Sequence, residues 1–72
     1  MATRPEFSVH MLNELGKIRA GEIAAGFSNL LNELEEICGY DGREMAIVRT
    51  KLEEASFFAK KAMAVQRINQ QQ

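Results

Sequence analysis

A four-residue connection, Gly39-Tyr40-Asp41-Gly42, divides the chain into two long helical stretches. Gly39 suits the left-handed residue that closes a helix, and Asp41 is placed to cap the next helix, with Glu44 three residues later completing a capping box. So short a connection forces the two helices to lie antiparallel as neighbours. The sequence therefore predicts an all-α fold, an antiparallel helical hairpin. It forms a single domain over residues 1–72, with helix one at about 8–38 and helix two at about 42–69.

The first helix has a start signal and an apolar stripe. Ser8 is placed to accept a hydrogen bond from a first-turn amide. Apolar residues then recur every three or four positions, at Leu12, Leu15, Ile23, Phe27, Leu30, Leu31, Leu34, Ile37 and Cys38. Each glycine within a helix costs about 1 kcal/mol relative to alanine, which indicates either a break or very close backbone contact. The stripe contains three, Gly16, Gly21 and Gly26, and we expect a kink or break near Gly16.

The size of the chain points to self-association. A domain of 72 residues is marginal because a chain this short buries only about 60% of its unfolded surface. Cys38 is the only cysteine, so no disulfide can form within one chain, and His10 and Cys38 are too few ligands for a zinc site. A homo-oligomer remains as the expected supplement to the core.

Charge and hydropathy exclude several classes. Residues 6–36 carry six acids and two bases, a net −4, whereas residues 43–67 carry six bases and three acids, a net +3. The formal charge of the whole chain is −1, which gives no general attraction to nucleic acid or anionic lipid. We expect no membrane span, because no apolar run approaches the required length, and no signal peptide. These features predict a soluble intracellular protein.

The pattern of reactive residues predicts no enzyme and no cofactor. On a continuous helix, His10 and Cys38 would lie about 42 Å apart, too far for a nucleophile and its base. We expect Cys38 to be a buried, inert thiol, since a helix C-terminus disfavours a thiolate. Glu35 and Glu36 point about 100° apart and cannot act as a catalytic pair.

Helix two can be sorted into three rows. The expected core row is small and apolar: Val48, Leu52, Ala55, Ala59, Ala62 and Val65. The expected solvated row is Arg49, Glu53, Ser56, Lys60, Met63 and Arg67. The third, which we call the mixed row, combines cations, a hydroxyl, an acid and a ring: Arg43, Ile47, Thr50, Glu54, Phe57 and Lys61. After Ile68 the chain is polar, and we expect it to fray.

Two neighbouring rings on helix two need an explanation. Phe57 and Phe58 point about 100° apart, so both cannot be covered by one flat contact with helix one. The favoured interpretation is that they form the core of a subunit interface. The alternative is that one ring stacks on a planar group while nearby side chains pair with anionic oxygens, the candidates being Arg43, Arg49, Thr50 and Lys61. A pocket between subunits is compatible with both interpretations.

Residues 42–64 read Gly-Arg-Glu-Met-Ala-Ile-Val-Arg-Thr-Lys-Leu-Glu-Glu-Ala-Ser-Phe-Phe-Ala-Lys-Lys-Ala-Met-Ala. This segment resembles the C-terminal hairpin helix of the small phage anti-CBASS and anti-Thoeris sponge proteins. The matching core is the R-E-x-x-x-x-x-T-K-L-x-E-A run, followed by an aromatic pair and a basic, alanine-rich turn, about a third of the chain. Residues 11–20 resemble, more loosely, the start of the first long helix of that family.

The resemblance implies a helical hairpin that assembles as a homohexamer in the cytoplasm of an infected bacterium. Its ligands would be cyclic di- or trinucleotides, or cyclic ADP-ribose isomers, which it sequesters without cleaving them. Phosphate contacts are implied for Arg43, Arg49, Thr50 and Lys51, and stacking for Phe57, with Lys61 beside it. Some members have a longer N-terminal region at the pocket, and the substitutes available here are Phe7, His10, Asn13 and Lys17.

Two other functions remain open from the sequence. The first is a non-enzymatic structural or protein-interaction module, in which the surplus apolar surface of helix two binds a partner helix. The second is DNA or RNA binding, which the sequence disfavours because the basic stretch is short and broken by three acids.

Overall fold

A computed structural model describes residues 11–71, and these fold as an all-α hairpin. Helix α1 spans Glu14–Cys38, helix α2 spans Arg43–Ala64, and a 3₁₀ turn follows at Arg67–Asn69. Contacts join the start of α1 to the end of the chain, as in Arg19 with Asn69, and the end of α1 to the start of α2, as in Glu35 with Arg49. This pairing is that of antiparallel helices, and extents of 48 × 25 × 11 Å make the hairpin a single layer.

The connection between the helices depends on two glycines. Gly39 has φ 88° and Gly42 has φ 115°, values that residues with a Cβ rarely adopt. The Gly39 N–H donates to the Glu35 carbonyl at 2.9 Å and so closes α1. Gly42 occupies the N-cap position of α2, and no side-chain bond caps that helix. The capping box predicted at Asp41 is therefore wrong, because Asp41 lies one residue too early.

Three residues, Glu35, Tyr40 and Arg49, form what we call the turn latch. The Nε and Nη2 groups of Arg49 donate to Glu35 Oε2 at 3.2 and 3.0 Å. Nη2 also donates to the Tyr40 carbonyl oxygen, and the guanidinium carbon lies 4.3 Å from the centroid of the Tyr40 ring. One side chain of α2 thus holds both the last turn of α1 and the connection.

Helix α1 begins later than the sequence predicted. Asn13 is its N-cap, with the side-chain Oδ1 accepting from the Gly16 N–H at 2.8 Å. Residues 11–13 are not helical, so a start at about residue 8 is wrong. The predicted cap, Ser8, lies outside the described residues. The physical reason for the later start is that residues 11–13 pair with the other end of the chain.

This pairing, between residues 11–13 and 69–71, is called the terminal clasp. Leu12 and Gln70 form an antiparallel bridge. On either side of it, the Asn13 N–H donates to the Asn69 carbonyl at 2.9 Å and the Gln71 N–H donates to the Met11 carbonyl at 2.8 Å. The expected fraying after Ile68 is therefore wrong. Helix two was also predicted to reach 69, whereas α2 ends at Ala64 and the chain turns back across α1.

Asn69 is the centre of the clasp and is fully buried. Its Nδ2 donates to the Met63 carbonyl and to Gln66 Oε1, both at 2.9 Å, and its Oδ1 accepts from Arg19 Nη1 at 2.9 Å. Every hydrogen-bonding atom of this side chain therefore has a partner. A buried amide is tolerated in so small a structure because its polar atoms are satisfied within the chain.

The three glycines of α1 have different surroundings. A Cβ at Gly16 would overlap the Asn69 carbonyl oxygen, so the close backbone contact predicted as one alternative is present there. Nothing lies within 4 Å of a Cβ built at the other two, Gly21 and Gly26. The helix is continuous from Glu14 to Cys38, so it has no break at Gly16. A kink at that position stays a prediction.

The interior of the hairpin is small, and its α2 face differs from the predicted one. Met45 and Met63 are the only buried apolar side chains among residues 11–71. The predicted core row is only partly right, because Val48, Leu52 and Ala59 are half-buried but three other members are exposed, Ala55, Ala62 and Val65. The prediction of a solvated row is wrong at three positions. Met63 is buried, and Arg49 and Ser56 are half-buried. The buried face of α2 is therefore rotated by about one residue from the predicted core row, toward the side that carries Met45 and Met63.

Two further expectations concern Cys38 and the membrane. Cys38 is exposed at the last residue of α1, so the prediction of a buried thiol is wrong; the hairpin is too thin to cover its helix end. Within residues 11–71, neither helix has an apolar stretch long enough to span a bilayer.

Candidate functional site

The mixed row lies on the outer surface of α2. All six of its members, from Arg43 to Lys61, are exposed, and Phe57 retains 64% of its surface accessible to solvent. The Thr50 hydroxyl in this row donates to the Ala46 carbonyl at 3.1 Å and leaves its lone pairs available. The described part of α1 thus leaves this combination of ring, hydroxyl and charges uncovered.

The most distinctive part of this surface is a depression around two aromatic rings. Phe57 and Phe58 meet edge to face, with centroids 5.4 Å apart and an angle of 84° between the rings. The depression has a volume of about 430 Å³ and is lined by Thr50, Glu53, Glu54, Phe57 and Phe58. Helical spacing explains the set, because residues 50, 53, 54, 57 and 58 recur every three or four positions along one side.

The chemistry of the depression is aromatic and acidic. A ring face can stack on a planar group, and the carboxylates of Glu53 and Glu54 accept hydrogen bonds from N–H or O–H donors. The same carboxylates repel phosphate oxygens. A ligand that is planar and rich in N–H donors, such as a nucleobase, therefore fits this depression better than a phosphate does.

The predicted phosphate ligands are spread along α2. Arg43, at the first turn of the helix, precedes Phe57 by 14 residues, or about 21 Å along the axis. Lys61 lies one turn beyond Phe57 and shares its side of the helix. Lys51 Nζ lies 4.0 Å from Glu54 Oε1, so this cation reaches the edge of the depression. The structure thus brings Thr50 and Phe57 together in the lining of one depression, whereas Arg43, Lys51 and Lys61 are not part of that lining.

Arg49 and the N-terminal candidates have contacts of their own. Arg49 forms the turn latch, and its ion pair with Glu35 is partly buried. Asn13 is a clasp residue whose Nδ2 donates to the Ile68 and Gln70 carbonyls at 2.7 and 3.1 Å. Lys17 is exposed, and its Nζ lies 3.5 Å from Glu14 Oε1. His10 is outside the described residues. A ligand role for these four residues stays a prediction.

Three lining residues of the depression were not among the predicted ligands: Glu53, Glu54 and Phe58. Two of them are acids and the third is a second ring, whereas a phosphate ligand favours cations. The spacing from Thr50 to Phe58 was a signal that could have shown them. The predicted ligand residues and the residues that line the depression therefore have only Thr50 and Phe57 in common.

Among residues 11–71, no three side chains of the His, Cys, Asp or Glu type are grouped as metal ligands would be. No protein-family model matches the chain, and neither a curated protein nor a solved structure is significantly similar to it. The candidate site is therefore defined by the residues of this chain alone.

Proposed function

We propose that this chain is a phage anti-defence protein that binds cyclic nucleotide immune signals and sequesters them without cleaving them. The signals are cyclic di- or trinucleotides or cyclic ADP-ribose isomers, and the site of action is the cytoplasm of the infected host. Two lines of support are the resemblance of residues 42–64 to the sponge family and the exposed aromatic depression on α2.

The observation that carries the proposal is the exposure of Phe57 beside hydrogen-bond acceptors. In single-stranded nucleic-acid binding, stacking of a base on an aromatic ring contributes about 1–3 kcal/mol. Glu53 or Glu54 would accept a hydrogen bond from the exocyclic amine or the ring N–H of a stacked base. A base-sized group is thereby bound by its face and its edge at one position.

The phosphates of the ligand need cations, and residues 11–71 of one hairpin do not concentrate them at this depression. Lys61 is close to Phe57, and Lys51 is at the edge, but Arg43 is about 21 Å away along the helix. A second copy that presents its own Arg43 or Lys51 beside Phe57 would complete a site with rings from one protomer and cations from another. Such a site fits a homo-oligomer, and the resemblance implies a hexamer.

Isothermal titration calorimetry against a panel of cyclic di- and trinucleotides and cyclic ADP-ribose isomers tests the proposal. We expect binding of at least one ligand, which is then recovered intact after the protein is denatured. Phe57→Ala should weaken binding at least about fivefold, since a stacking partner worth about 1–3 kcal/mol is lost. The matched control is Ile47→Ala, an exposed member of the same row outside the depression, which should leave affinity within about twofold.

Two results would contradict the proposal. One is the absence of binding to every member of the panel at micromolar protein. The other is conversion of the ligand to a different species during incubation, because sequestration requires that the messenger survive.

The second candidate function is a non-enzymatic module that binds a partner helix. It is favoured by the number of large apolar side chains left exposed, including Ile37 at 79% and Phe58 at 61%. Light scattering separates the two functions. A stable monomer that binds no nucleotide favours the partner-binding module, because the sponge requires a second copy to supply its cations.

A further inference from the structure

The aromatic depression on α2 lies between two acids and two bases. Glu53 and Glu54 come one turn before Phe57, and both are exposed. Lys60 and Lys61 come one turn after it, just outside the depression, and are exposed as well. The acidic pair and the basic pair are about 10 Å apart along the helix axis. A group stacked on the Phe57 ring therefore meets carboxylates at one end and ammonium groups at the other.

Of the two acids, Glu53 is the better placed to accept hydrogen bonds from a ligand. Glu54 Oε1 already lies 4.0 Å from Lys51 Nζ. Within residues 11–71, no lysine or arginine forms an ion pair with Glu53, which precedes Phe57 by four residues and so adjoins it on the helix surface. Glu53 also lines both the depression and the neighbouring groove between the helices. Its carboxylate is therefore accessible at the edge of a group that covers the Phe57 ring.

An acceptor at this position distinguishes between the nucleobases. An ionised carboxylate only accepts hydrogen bonds, and its two oxygens lie side by side. The Watson–Crick edge of guanine presents two adjacent donors, the N1–H and the 2-amino group, so both can bond to one carboxylate. Adenine and cytosine present one amino group beside a ring nitrogen that accepts, and uracil presents one N–H between two carbonyl oxygens. Each of these three bases would direct an acceptor at the carboxylate, and guanine would not.

The order of charges along α2 selects which edge of the base is read. In a nucleotide, the Watson–Crick edge and the phosphate lie at opposite ends of the molecule. With its base edge at Glu53, a ligand stacked on Phe57 directs its phosphate toward the basic pair. The reverse orientation would bring the phosphate against the carboxylates. Among residues 11–71, neither lysine of the basic pair forms an ion pair with a carboxylate, so both charges are available to the ligand.

We propose that Phe57 and Glu53 form a guanine-selective subsite, with Lys60 and Lys61 on its phosphate side. This inference rests on the proposed sequestration of cyclic nucleotides and narrows the ligand class to those that contain guanine. Cyclic ADP-ribose isomers, whose base is adenine, are disfavoured. A wholly cationic ligand would also suit rings and carboxylates, but the basic pair repels it.

Isothermal titration calorimetry with three cyclic dinucleotides tests the subsite on the wild-type chain. Cyclic di-GMP, cyclic di-IMP and cyclic di-AMP have the same sugar-phosphate ring and differ only in the base. Hypoxanthine, the base of cyclic di-IMP, keeps the N1–H of guanine and lacks the 2-amino group. We expect cyclic di-GMP to bind at least about fivefold more tightly than cyclic di-AMP, with cyclic di-IMP between them, because the donors are removed one after the other.

Glu53→Gln tests the residue that selects the base. The amide has nearly the shape of the carboxylate but replaces one acceptor oxygen with a donor, which suits adenine better than guanine. We expect the preference for cyclic di-GMP over cyclic di-AMP to fall at least about fivefold. Loss of a negative charge favours every anionic ligand, so the ratio of the two affinities is the readout, and not either affinity alone.

Glu44→Gln is the matched control. It removes the same charge from an exposed position of the same helix, outside the depression, and should leave the ratio within about twofold of the wild type. Circular dichroism verifies that both variants remain helical. The comparison of the three ligands on the wild-type chain does not depend on any variant.

The outcomes separate this inference from the proposed function. Equal affinity of the wild type for cyclic di-GMP and cyclic di-AMP, or an unchanged ratio in Glu53→Gln, would overturn the guanine subsite and leave sequestration intact. Binding of adenine-containing ligands alone would have the same meaning. If no cyclic nucleotide binds, the proposed function fails, and the subsite fails with it.

Discussion

The terminal clasp and the middle of the hairpin differ in how far the chain satisfies its own side chains. At the clasp, the polar groups of residues 11–13 and 69–71 bond one another, and a fully buried amide has all its partners. In the middle, apolar side chains such as Leu30 and Phe58 face outward. Hydrogen bonding is complete within one chain at the clasp, whereas apolar burial is left unfinished between the helices. The described residues thus satisfy their polar groups at the clasp and leave apolar surface exposed in the middle.

The largest expected effect on stability comes from the centre of the clasp. Asn69→Ala removes three side-chain hydrogen bonds and leaves the Met63 carbonyl and the Arg19 guanidinium without this partner. We expect a loss of about 2–3 kcal/mol in the free energy of unfolding. Urea denaturation at a fixed protein concentration measures it. Gln71→Ala, which removes only an exposed bond to the Leu12 carbonyl, is the control and should cost less than about 0.5 kcal/mol.

A smaller effect is expected where the clasp crosses α1. Gly16→Ala places a methyl group against the Asn69 carbonyl, and we expect a loss of about 1–2 kcal/mol. Gly21→Ala introduces the same methyl into open space and should stabilise the chain by about 0.5–1 kcal/mol through helix propensity. Thermal unfolding of the two variants gives the comparison. Equal shifts of the melting temperature in the same direction would contradict the close contact between the Asn69 carbonyl and α1 at Gly16.

The smallest effect on the fold is expected at the aromatic rings. Phe57 is 64% exposed, and within residues 11–71 its aromatic partner is Phe58, so Phe57→Ala should change the unfolding free energy of the isolated hairpin by less than about 1 kcal/mol. Denaturation at the lowest usable protein concentration measures this term. A loss of unfolding free energy as large as that of Asn69→Ala would show that Phe57 stabilises the fold of the hairpin. The difference drawn here between the clasp and the middle would then be wrong.

The sequence predicted the helical elements of the hairpin. Two helices joined by four residues follow from apolar periodicity and from the glycines at 39 and 42, which are local signals. The mixed row was also correctly separated from the core face. These features depend on the spacing of residues within a few turns of one helix, and this spacing can be read directly from the sequence.

The errors concern contacts between distant residues. The clasp pairs Asn13 with Asn69, and no local pattern reports a contact across so long a stretch of chain. The buried face of α2 was predicted about one residue off because Met45 and Met63 lie beside the small apolar row on the helix, so periodicity alone does not decide which of them faces α1. Arg49 was sorted as solvated because its partner, Glu35, belongs to the other helix. Of the five residues that line the depression, only Thr50 and Phe57 were predicted as ligand contacts, because the predicted polar contacts were directed at phosphate, which carboxylates repel.

The direction of the clasp determines how the hairpin would respond to a pulling force. Residues 11 and 71 are joined at the outer edge of an antiparallel pair, where the Gln71 N–H donates to the Met11 carbonyl. Tension applied at these two positions would load that bond first and then the bond between Asn13 and Asn69, on the other side of the Leu12–Gln70 bridge. The bonds would open one at a time, as in a zipper, and not together as in shear. A hairpin closed by these contacts would therefore yield to a small force applied at residues 11 and 71.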